Sequence, residues 1–487
     1  MRVLLVRPSS ILGRMSRQNL QHPTNLLGLA SELNAQGHHA RILDLEVAKS
    51  GEGEIETVLA EFCPDMVGVS VVTPHVPAAA QILTLARKVL PSVFLIAGGP
   101  HATALPQDLL DEIPVLDAVC VGEGDRTLPE LCAVLDSCGH PSEVVGLHFA
   151  ASGGTGAREP VDDLDTLAPM DRSLLNWSDY EQIGGGKGVA SPGVMRPDIR
   201  AAQVHLSRGC YARCVFCSTN AVWGERARPG IRRRSVAAVL EEIDAVVDRY
   251  GVNHLNFEDD IFPPTLRYLE ELGEELLSRE VTWSCNARVD GLRREHFELM
   301  AASGCIKIDF GVESGSERIL ELNKKLVTRA KVVEVFDEAR RAGILRTAYL
   351  MLGSHVDETP EEVEDTWRLT QEIQPDFITF TLACPYPGTE LWEDCRSRGY
   401  LKLGSDGRPD WSLYGYYPGL PPWRFTHFTA DKMVAVQKRF LRRFYWNPRF
   451  IWQMARSVRS MNHLSALARA GLDVTRFIGG RRVGASP

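Results

Sequence analysis

The sequence predicts an α/β protein built from a doubly wound, Rossmann-like domain, a partial (β/α)6 barrel and a mainly helical, basic C-terminal segment. Three observations predict this fold. Short apolar runs alternate with helical patterns over residues 1–149, the alternation resumes with a longer period over 201–399, and residues 400–487 turn aromatic and then basic. Strict alternation of strands and helices is typical of parallel sheets.

The bulk composition is that of a globular protein in a reducing compartment. A length of 487 residues exceeds one ordinary core and suggests about three domains. No apolar run approaches the roughly 20 residues of a membrane span, and the N-terminal MRVLLVRPSS has a strand pattern, not that of a signal peptide. Eleven cysteines, an odd number in apolar surroundings, argue against a secreted disulfide framework. We therefore expect a cytoplasmic protein.

The first domain is expected to contain five buried strands. They lie in the stretches RVLLVRP, HARILDL, DMVGVSVVT, VFLIAGGP and DAVCVGEG, and helices such as NLLGLASELNAQG and AAAQILTLARKVL separate them. The carboxyl ends of the last three strands carry VTPH, GGPH and GEGD. Doubly wound sheets bind ligands at this edge, and small residues let the backbone approach a bulky ligand.

Residues 150–200 are predicted to be a linker. They are rich in Gly, Pro and Asp, as in ASGGTGAREP, IGGGKG and ASPGVMRP, with one tethered stretch, LAPMDRSLLNWSDY. We place a domain boundary here.

Six further strands are expected in the second domain, residues 201–399. They lie in QVHLS, HLNFED, VTWSCN, IKIDFGVE, LRTAYLMLG and DFITFTLA, each followed by a helical pattern. Six such units indicate an incomplete barrel whose chemistry lies on the loops after the strands. The stretch SRGCYARCVFCS comes directly after the first of these strands.

That stretch places three cysteines, Cys210, Cys214 and Cys217, within eight residues. A structural zinc site usually takes four ligands, and a thioredoxin-like site needs two thiols. Three thiolates on one loop suit a 4Fe-4S cluster in which one iron lacks a protein ligand. Structural or zinc-binding cysteines at this spacing are the alternative.

The spacing Cys210-x3-Cys214-x2-Cys217, with Phe216 before the last cysteine, resembles the signature of the radical S-adenosylmethionine (radical SAM) superfamily. The resemblance implies that SAM chelates the open iron and is cleaved to a 5'-deoxyadenosyl radical. It also implies SAM contacts at Phe216, beside the last cysteine, and in the motifs FEDDIF, NARVD, GVESGS, LMLGSHVDET and CPYPGTEL. These contacts are Phe216, Glu258, Asp259, Asp260, Asn286, Arg288, Glu313, Ser314, Gly353 and Pro385.

Two points stay open within this set. Which of the three consecutive carboxylates Glu258, Asp259 and Asp260 faces SAM is undecided. For each acidic residue, a helix cap or a solvated loop charge is the alternative.

A doubly wound domain before such a barrel resembles the cobalamin-binding radical SAM proteins, over nearly the whole chain. The phrases GGPHAT and VGEGDRTLPEL are typical of that family. The resemblance implies a corrin between the two domains. Its expected contacts are Thr73, Pro74, His75, Gly98, Gly99, Pro100, His101, Gly122, Glu123 and Gly124.

The sequence departs from many cobalamin domains in one respect, because the motif DxHxxG occurs nowhere and RPSSILGRM follows the first strand. We therefore expect cobalt without a protein imidazole ligand. His75 and His101 are expected to be loop or corrin-edge contacts, with axial ligation and satisfied surface histidines as alternatives. A domain that has lost cobalamin binding altogether is a further alternative.

The resemblance implies a class B methyltransferase that moves a methyl group from methylcobalamin to an unactivated carbon of a natural product, lipid or tetrapyrrole. The alternative enzyme is a radical cyclase, ring-contracting or oxidative rearrangement enzyme of the same architecture. A cluster-bearing sensor or scaffold is the non-enzymatic alternative. An electron donor such as flavodoxin or ferredoxin is expected. Cys384 is a candidate radical or proton donor, against the alternative of a buried structural thiol.

The C-terminal segment carries most of the charge asymmetry. Residues 430–487 hold twelve Lys/Arg and two Asp/Glu, a formal +10, which leaves −19 for the rest of the chain. The stretch KRFLRRFYWNPRFIWQMARSVR interleaves arginine with aromatic residues, as in helices that lie on anionic membranes. Aromatic core with snorkelling arginines is the alternative. The acidic body and the lack of a recognised motif disfavour nucleic acid.

Overall fold

The computed structural model describes residues 1–9, 21–47, 52–180, 196, 198–223, 230–262, 265–415, 421–458 and 460–479. Four predicted features lie wholly or partly outside the described residues. They are the linker stretches IGGGKG and ASPGVMRP (all but residue 196), residues 10–15 of RPSSILGRM, and the C-terminal residues 480–487.

The first domain is a seven-stranded sheet within the described part of the chain. In chain order its elements are β1 (Arg2–Arg7), α1 (Thr24–Ala35), β2 (His39–Asp44), α2 (Glu52–Phe62), β3 (Met66–Ser70), α3 (Val76–Val89), β4 (Phe94–Gly98), α4 (Pro100–Ala104), α5 (Pro106–Glu112), β5 (Ala118–Cys120), α6 (Gly124–Asp136), β6 (Leu147–Phe149) and β7 (Gly153–Gly154). The strand order is β2-β1-β3-β4-β5-β6-β7, and the first five strands are parallel. The predicted doubly wound fold is confirmed.

Strand β1 shows why the sheet strands are apolar throughout. Val3 and Leu5 pack in one hydrophobic cluster with residues of α1 and α6. Leu4 and Val6 pack in another cluster with residues of α2 and α3. Because alternate side chains point to opposite faces, helices on both faces require an unbroken apolar run.

Short 3-10 turns connect the two domains between residues 164 and 179. The backbone N–H of Ala168 donates to Glu32 of α1 at 2.8 Å. The buried guanidinium of Arg172 donates to the carbonyl of Gln203 and the carboxylate of Glu242, both at 2.5 Å. This stretch therefore contacts both domains, while the exact domain boundaries stay a prediction.

The second domain contains a six-stranded parallel sheet within the described residues. Its elements are β8 (Ala201–Val204), β9 (Ser207–Arg208), α7 (Thr219–Trp223), β10 (Arg232–Arg233), α8 (Val236–Tyr250), β11 (His254–Phe262), α9 (Leu266–Ser278), β12 (Thr282–Arg288), α10 (Arg294–Ala302), β13 (Cys305–Glu313), α11 (Glu317–Leu322), α12 (Arg329–Arg341), β14 (Leu345–Leu352), α13 (Pro360–Ile373), β15 (Phe377–Leu382) and α14 (Glu390–Ser397). The order β8-β11-β12-β13-β14-β15 is that of a partial (β/α)6 barrel, as predicted.

The C-terminal helices are α15 (Ala430–Tyr445), α16 (Pro448–Ser457) and α17 (Met461–Ile478). Met433 and Phe440 of α15 are fully buried in the barrel cluster. In contrast, Ile451 and Trp452 are 53% and 60% exposed. The segment is therefore core on one side and exposed apolar surface on the other. No helix in the described part of the chain is both long and apolar enough to cross a bilayer.

The aromatic stretch before α15 returns to the first domain. Trp411, Tyr414 and Trp423 are buried in the same hydrophobic cluster as Leu4 and Val6 of β1. A short 3-10 turn at Trp411–Leu413 contacts the one at Thr73–His75. The chain after the barrel thus packs over the ligand edge that the sequence predicts for the first sheet.

Candidate functional site

The three cysteines lie on a loop that β9 introduces. Gly209, which precedes Cys210, has a φ of +97°, a conformation that favours glycine. Its N–H donates to the carboxylate of Asp260 at 3.1 Å. Further along, the N–H of Cys217 donates to the carbonyl of Cys214 at 3.0 Å. The loop is thus held in a compact turn by hydrogen bonds to its own backbone and to the end of β11.

The environment of the thiols suits three ligands of one iron–sulfur cluster. Burial raises the pKa of Cys210 and Cys217, and a neighbouring cysteine raises each of them further. The N–H of Ala212 donates to Cys210 Sγ at 3.4 Å, and Arg288 Nη1 donates to Cys214 Sγ at 3.3 Å. Donors of this kind stabilise sulfur that carries negative charge, as it does when bound to iron.

No three His, Cys, Asp or Glu side chains among the described residues close around a single ion. A 4Fe-4S cluster does not require such convergence, because each cysteine binds a different iron. The donor set, three thiols on one loop, therefore fits the cluster.

The three carboxylates at the end of β11 point in three directions. Gln21 of the first domain donates to Glu258 at 2.8 Å. Asp259 is 3% exposed and accepts from Ser207 Oγ at 2.6 Å and the N–H of Leu206 at 3.0 Å; burial raises its pKa to about 6. Asp260 is exposed and holds the cysteine loop through Gly209. The carboxylate of Asp259 is therefore buried and hydrogen-bonded inside the barrel. Asp260 is the carboxylate of the three that lies nearest to the cysteines.

Strand β12 brings Arg288 to the cysteine loop. Besides Cys214, its guanidinium donates to Asp290 at 2.7 Å and to the carbonyl of Lys325 at 2.7 Å. Asn286, two residues earlier, has the same strand parity and is half-buried. The two predicted SAM contacts on this strand therefore lie on the same side of the sheet.

Strand β13 ends in a strained residue. Glu313 has a φ of +69°, uncommon for a residue with a side chain, and its carboxylate accepts from Lys325 Nζ at 3.0 Å. Ser314 is fully buried, and its hydroxyl lies 3.4 Å from Thr366 Oγ1 of α13. Glu313 remains at the mouth of the barrel, whereas the Ser314 side chain packs under it.

The turn after β14 has a left-handed glycine under an aromatic ring. Gly353 has a φ of +70°, and a Cβ built there would lie 2.2 Å from the ring of Phe425. Glu358, fully buried, accepts the N–H groups of Gly353 and Ser354 at 2.5 and 3.1 Å; burial raises its pKa to about 8. Glu358 and Phe425 thus shape the turn that carries the predicted SAM contact Gly353.

Two predicted residues follow β15. Pro385 is buried, and Cys384 packs beside the first-domain cluster. Burial raises the pKa of Cys384 strongly, so the group is a neutral thiol. This environment is typical of a structural cysteine and agrees with the alternative interpretation of Cys384.

The predicted corrin contacts share one edge of the first sheet, where three loops are joined by hydrogen bonds. The N–H of His101 donates to the carbonyl of Val71 at 3.1 Å, and the N–H of Gly122 donates to Thr103 Oγ1 at 3.1 Å. Gly122 has a φ of +82°, and a Cβ added there meets no atom within 4 Å. The edge therefore combines a fixed backbone with open space, which fits a large planar ligand. The residues at this edge are Thr73, Pro74, His75, Gly98, Gly99, Pro100, His101, Gly122, Glu123 and Gly124.

Both histidines of this edge are neutral and held by neighbours. His101 is 2% exposed, its Nδ1 lies 3.2 Å from Thr73 Oγ1, and its ring meets Trp411 edge-on at 4.8 Å. His75 Nε2 lies 3.9 Å from Glu46. Burial lowers the pKa of both imidazoles to about 4.

The sequence interpretation missed three of the four charged residues that join the two edges, Arg208, Arg232 and Asp125, and named the fourth, Glu123, only as a corrin contact. Arg208, directly before Gly209, donates to both oxygens of Asp125 at 2.9 and 3.0 Å. Arg232 donates to Glu123 at 2.5 and 3.1 Å. The one available signal was position in the sequence, because Arg208 and Asp125 lie within predicted cofactor motifs, whereas nothing in the sequence singled out Arg232.

Two sequence profiles match the chain. One, described as the B12 binding domain, matches residues 13–132. The other, described as the radical SAM superfamily, matches residues 204–370.

Similar proteins include an uncharacterized methyltransferase of Pyrococcus horikoshii, 28% identical over 88% of this chain and 89% of that protein. An anaerobic magnesium-protoporphyrin IX monomethyl ester cyclase of Rubrivivax gelatinosus is 28% identical over 81% of this chain and 70% of that protein. Among solved structures, the radical SAM methyltransferase TsrM of Kitasatospora setae, with tryptophan substrate and a SAM analogue bound, covers 98% of both chains with a TM-score of 0.72 at 17% identity. This last likeness shows the same fold.

Proposed function

Because the chain belongs to the cobalamin-binding radical SAM proteins, we propose that it is a methyltransferase that methylates an unactivated carbon with the help of a 5'-deoxyadenosyl radical. One observation carries the proposal. The first domain and the rim of the barrel meet beside the predicted corrin edge and the cysteine loop, through direct contacts between Arg208 and Asp125 and between Gln21 and Glu258. The two predicted cofactor edges are therefore adjacent, as methyl transfer between the cofactors and a substrate requires.

The residues that would hold the cofactors lie on these two edges. Cys210, Cys214 and Cys217 would bind the cluster, and Asp260, Asn286, Arg288, Glu313 and Gly353 would contact SAM. When bound, the cluster supplies the electron that cleaves SAM, and the cobalamin supplies the methyl group. Arg288 orients the cysteine loop through Cys214 and Lys325. Phe425, packed over Gly353, excludes water from that side of the site.

A cyclase or rearrangement enzyme without methyl transfer is the second candidate. The similarity to the magnesium-protoporphyrin monomethyl ester cyclase favours it. Both candidates need an electron donor such as flavodoxin or ferredoxin, and both accept a natural product, lipid or tetrapyrrole as substrate.

The first test is anaerobic reconstitution with iron, sulfide and hydroxocobalamin, followed by reduction and addition of SAM. Formation of methylcobalamin and S-adenosylhomocysteine is expected for a methyltransferase. Bound cobalamin that is reduced but never methylated would favour the cyclase. A variant with Cys210, Cys214 and Cys217 replaced by Ala should lose cluster absorbance and SAM cleavage, whereas replacing the exposed Cys63 and Cys138 should change neither.

We further propose that cobalt has no protein imidazole ligand. The ring of His101 is enclosed by Thr73 and Trp411, and His75 lies near Glu46. Labelling the protein with 15N-histidine should leave the cob(II)alamin EPR spectrum unchanged. A splitting that depends on the label would contradict the proposal.

Finally, we propose peripheral contact with an anionic membrane through the outer face of the C-terminal helices. Residues 432–472 contain nine Lys/Arg and no Asp or Glu. The exposed apolar side chains of this face are Trp446, Ile451, Trp452, Met461, Leu464 and Leu472. Apolar side chains with surrounding cations bind interfaces that carry negative lipid.

Vesicle flotation tests this contact. The protein should float with phosphatidylcholine vesicles that contain phosphatidylglycerol and much less with pure phosphatidylcholine. Replacing Ile451 and Trp452 by Ser should reduce flotation, whereas replacing the exposed Leu277 of α9 should not. Equal flotation of all three proteins, or none with either vesicle, would refute the membrane contact.

A further inference from the structure

The two predicted cofactor edges are joined by a small network of buried charges. Arg208 binds Asp125 in a bidentate pair, and Arg232 binds Glu123 in another. Side-chain exposures are 24% for Arg208, 13% for Arg232, 9% for Asp125 and 7% for Glu123. Salt screens the attraction within such solvent-shielded charge pairs only weakly, and the bidentate hydrogen bonds fix their geometry.

The network lies beside the predicted cofactor contacts on both sides. Arg208 is two residues before Cys210, and its strand β9 pairs with β10, which carries Arg232. On the other side, Glu123 is the N-cap residue of α6 and Asp125 lies in its first turn. The positive end of the helix favours a carboxylate there. Although burial alone would lower the pKa of Arg208, Asp125 and Glu123 raise it.

The network is also connected to the turns around it. Arg232 Nη1 donates to the carbonyl of Val161 at 2.7 Å, and the N–H of Val161 donates to Glu123 at 2.8 Å. Arg208 Nη1 lies 3.6 Å from Glu123 as well. A shift of one loop relative to the other would therefore break several charge-assisted hydrogen bonds at once.

We propose that Arg208, through Asp125, is a positioning residue that fixes the separation between the cobalamin and the iron–sulfur cluster. This inference rests on the proposed function for the identity of the two cofactors. The pair touches neither reacting group. It acts by holding residues 122–125 against residues 207–210.

The first experiment follows backbone amide exchange in the cofactor-free protein. Arg208→Gln should accelerate exchange by about tenfold in both segments, 122–125 and 207–210, because removing one partner leaves a buried charge unpaired. Asp125→Asn should accelerate exchange in the same two segments. The double variant should exchange no faster than either single variant. The matched control is Arg87→Gln, whose guanidinium pairs with Asp117 wholly inside the first domain. Exchange that rises in one segment alone, or equally in the control, would overturn the proposal.

The second experiment uses the reconstituted, reduced holoenzyme. Arg208→Gln should retain its iron, sulfide and cobalamin, while relaxation enhancement of the cob(II)alamin EPR signal by the reduced cluster becomes weaker and more heterogeneous. Arg208→Lys should recover only part of the relaxation enhancement, because lysine keeps the positive charge but lacks the planar guanidinium that forms the bidentate pair. Relaxation identical to that of the unaltered protein would overturn the positioning role. An unaltered protein that binds no cobalamin would instead refute the proposed function, and the exchange data would still show whether the two segments are joined.

Discussion

Single residues with the same chemistry have different roles here, and burial separates them. Asp259 and Asp260 are neighbours, yet Asp259 is hydrogen-bonded inside the barrel and Asp260 holds the cysteine loop. The sequence could predict that a carboxylate at this point meets the site, because parallel strands end at one rim. It could not choose among the three, because the choice depends on a bulge in the pairing of β11 with β12 after Phe257.

Glu358 gives a prediction at the residue scale. Its pKa is raised from 4.5 to about 8 by burial, so the folded protein binds a proton that the unfolded chain releases at lower pH. Stability from this group is therefore fully present below about pH 4.5 and is lost as the pH rises through about 8. Over the interval from 4.5 to about 8, at about 1.4 kcal/mol per pKa unit, the loss should be about 5 kcal/mol.

The measurement is urea unfolding of the cofactor-free protein at pH 5 and pH 8.5. Glu358→Gln should remove most of the decrease in unfolding free energy between these two pH values. The control is Glu361→Gln, three residues further along the chain and paired with Arg368 at the surface. A Gln variant with an unchanged pH dependence would show that Glu358 is ionised in the folded protein at pH 5.

At the scale of elements, helix α15 completes the open edge of the barrel. An edge strand exposes unpaired backbone groups, and β15 is such a strand in the six-stranded sheet. Gln437 donates to the carbonyl of Phe380 at 2.7 Å, and the Tyr445 hydroxyl donates to the carbonyl of Ile378 at 2.6 Å. The sequence predicted both elements, but nothing in the periodicity of α15 indicated that its polar side chains would pair with a strand.

Replacing Tyr445 by Phe should therefore destabilise the protein by about 1–3 kcal/mol, since it removes the donor to Ile378 and leaves that carbonyl buried. Tyr414→Phe is a matched control. Tyr414 is also buried, but its hydroxyl has no hydrogen-bond partner among the described residues, so its loss should be neutral or stabilising. Denaturant unfolding of both variants measures the difference. Equal effects would mean that the edge contact contributes nothing beyond the packing of the ring.

At the scale of the whole molecule, the parts that local patterns encode were predictable and the contacts between them were not. Eleven expected strands are present because each is a short apolar run with its own turn signals. The cysteine loop was predictable because its ligands are adjacent in sequence. The pairing of Arg208 with Asp125 spans 83 residues, and Trp411 reaches Glu112 across 299 residues. Such contacts follow from how the two domains pack, which one sequence does not encode locally.

Trp411 provides the last prediction, because it attaches the chain after the barrel to the first domain. Its ring contacts His101 and Trp392, and its Nε1 donates to Glu112 at 2.9 Å. Trp411→Ala should lower the free energy of unfolding by about 3–5 kcal/mol, because a large buried side chain is lost. We expect faster proteolysis within residues 401–415 and about tenfold weaker cobalamin retention, because the loop that carries His101 loses its cover.

Iron and sulfide content should stay unchanged in this variant, since the cysteine loop is held by Asp260 and Arg288 and not by Trp411. Trp452→Ala is the control, as Trp452 belongs to the same C-terminal region but is 60% exposed. If Trp411→Ala retained cobalamin like the unaltered protein and resisted proteolysis equally, the aromatic stretch would be an independent appendage. Loss of iron and cobalamin together would mean that the two domains unfold as one cooperative unit. The C-terminal chain would then stabilise the whole molecule and not one cofactor edge.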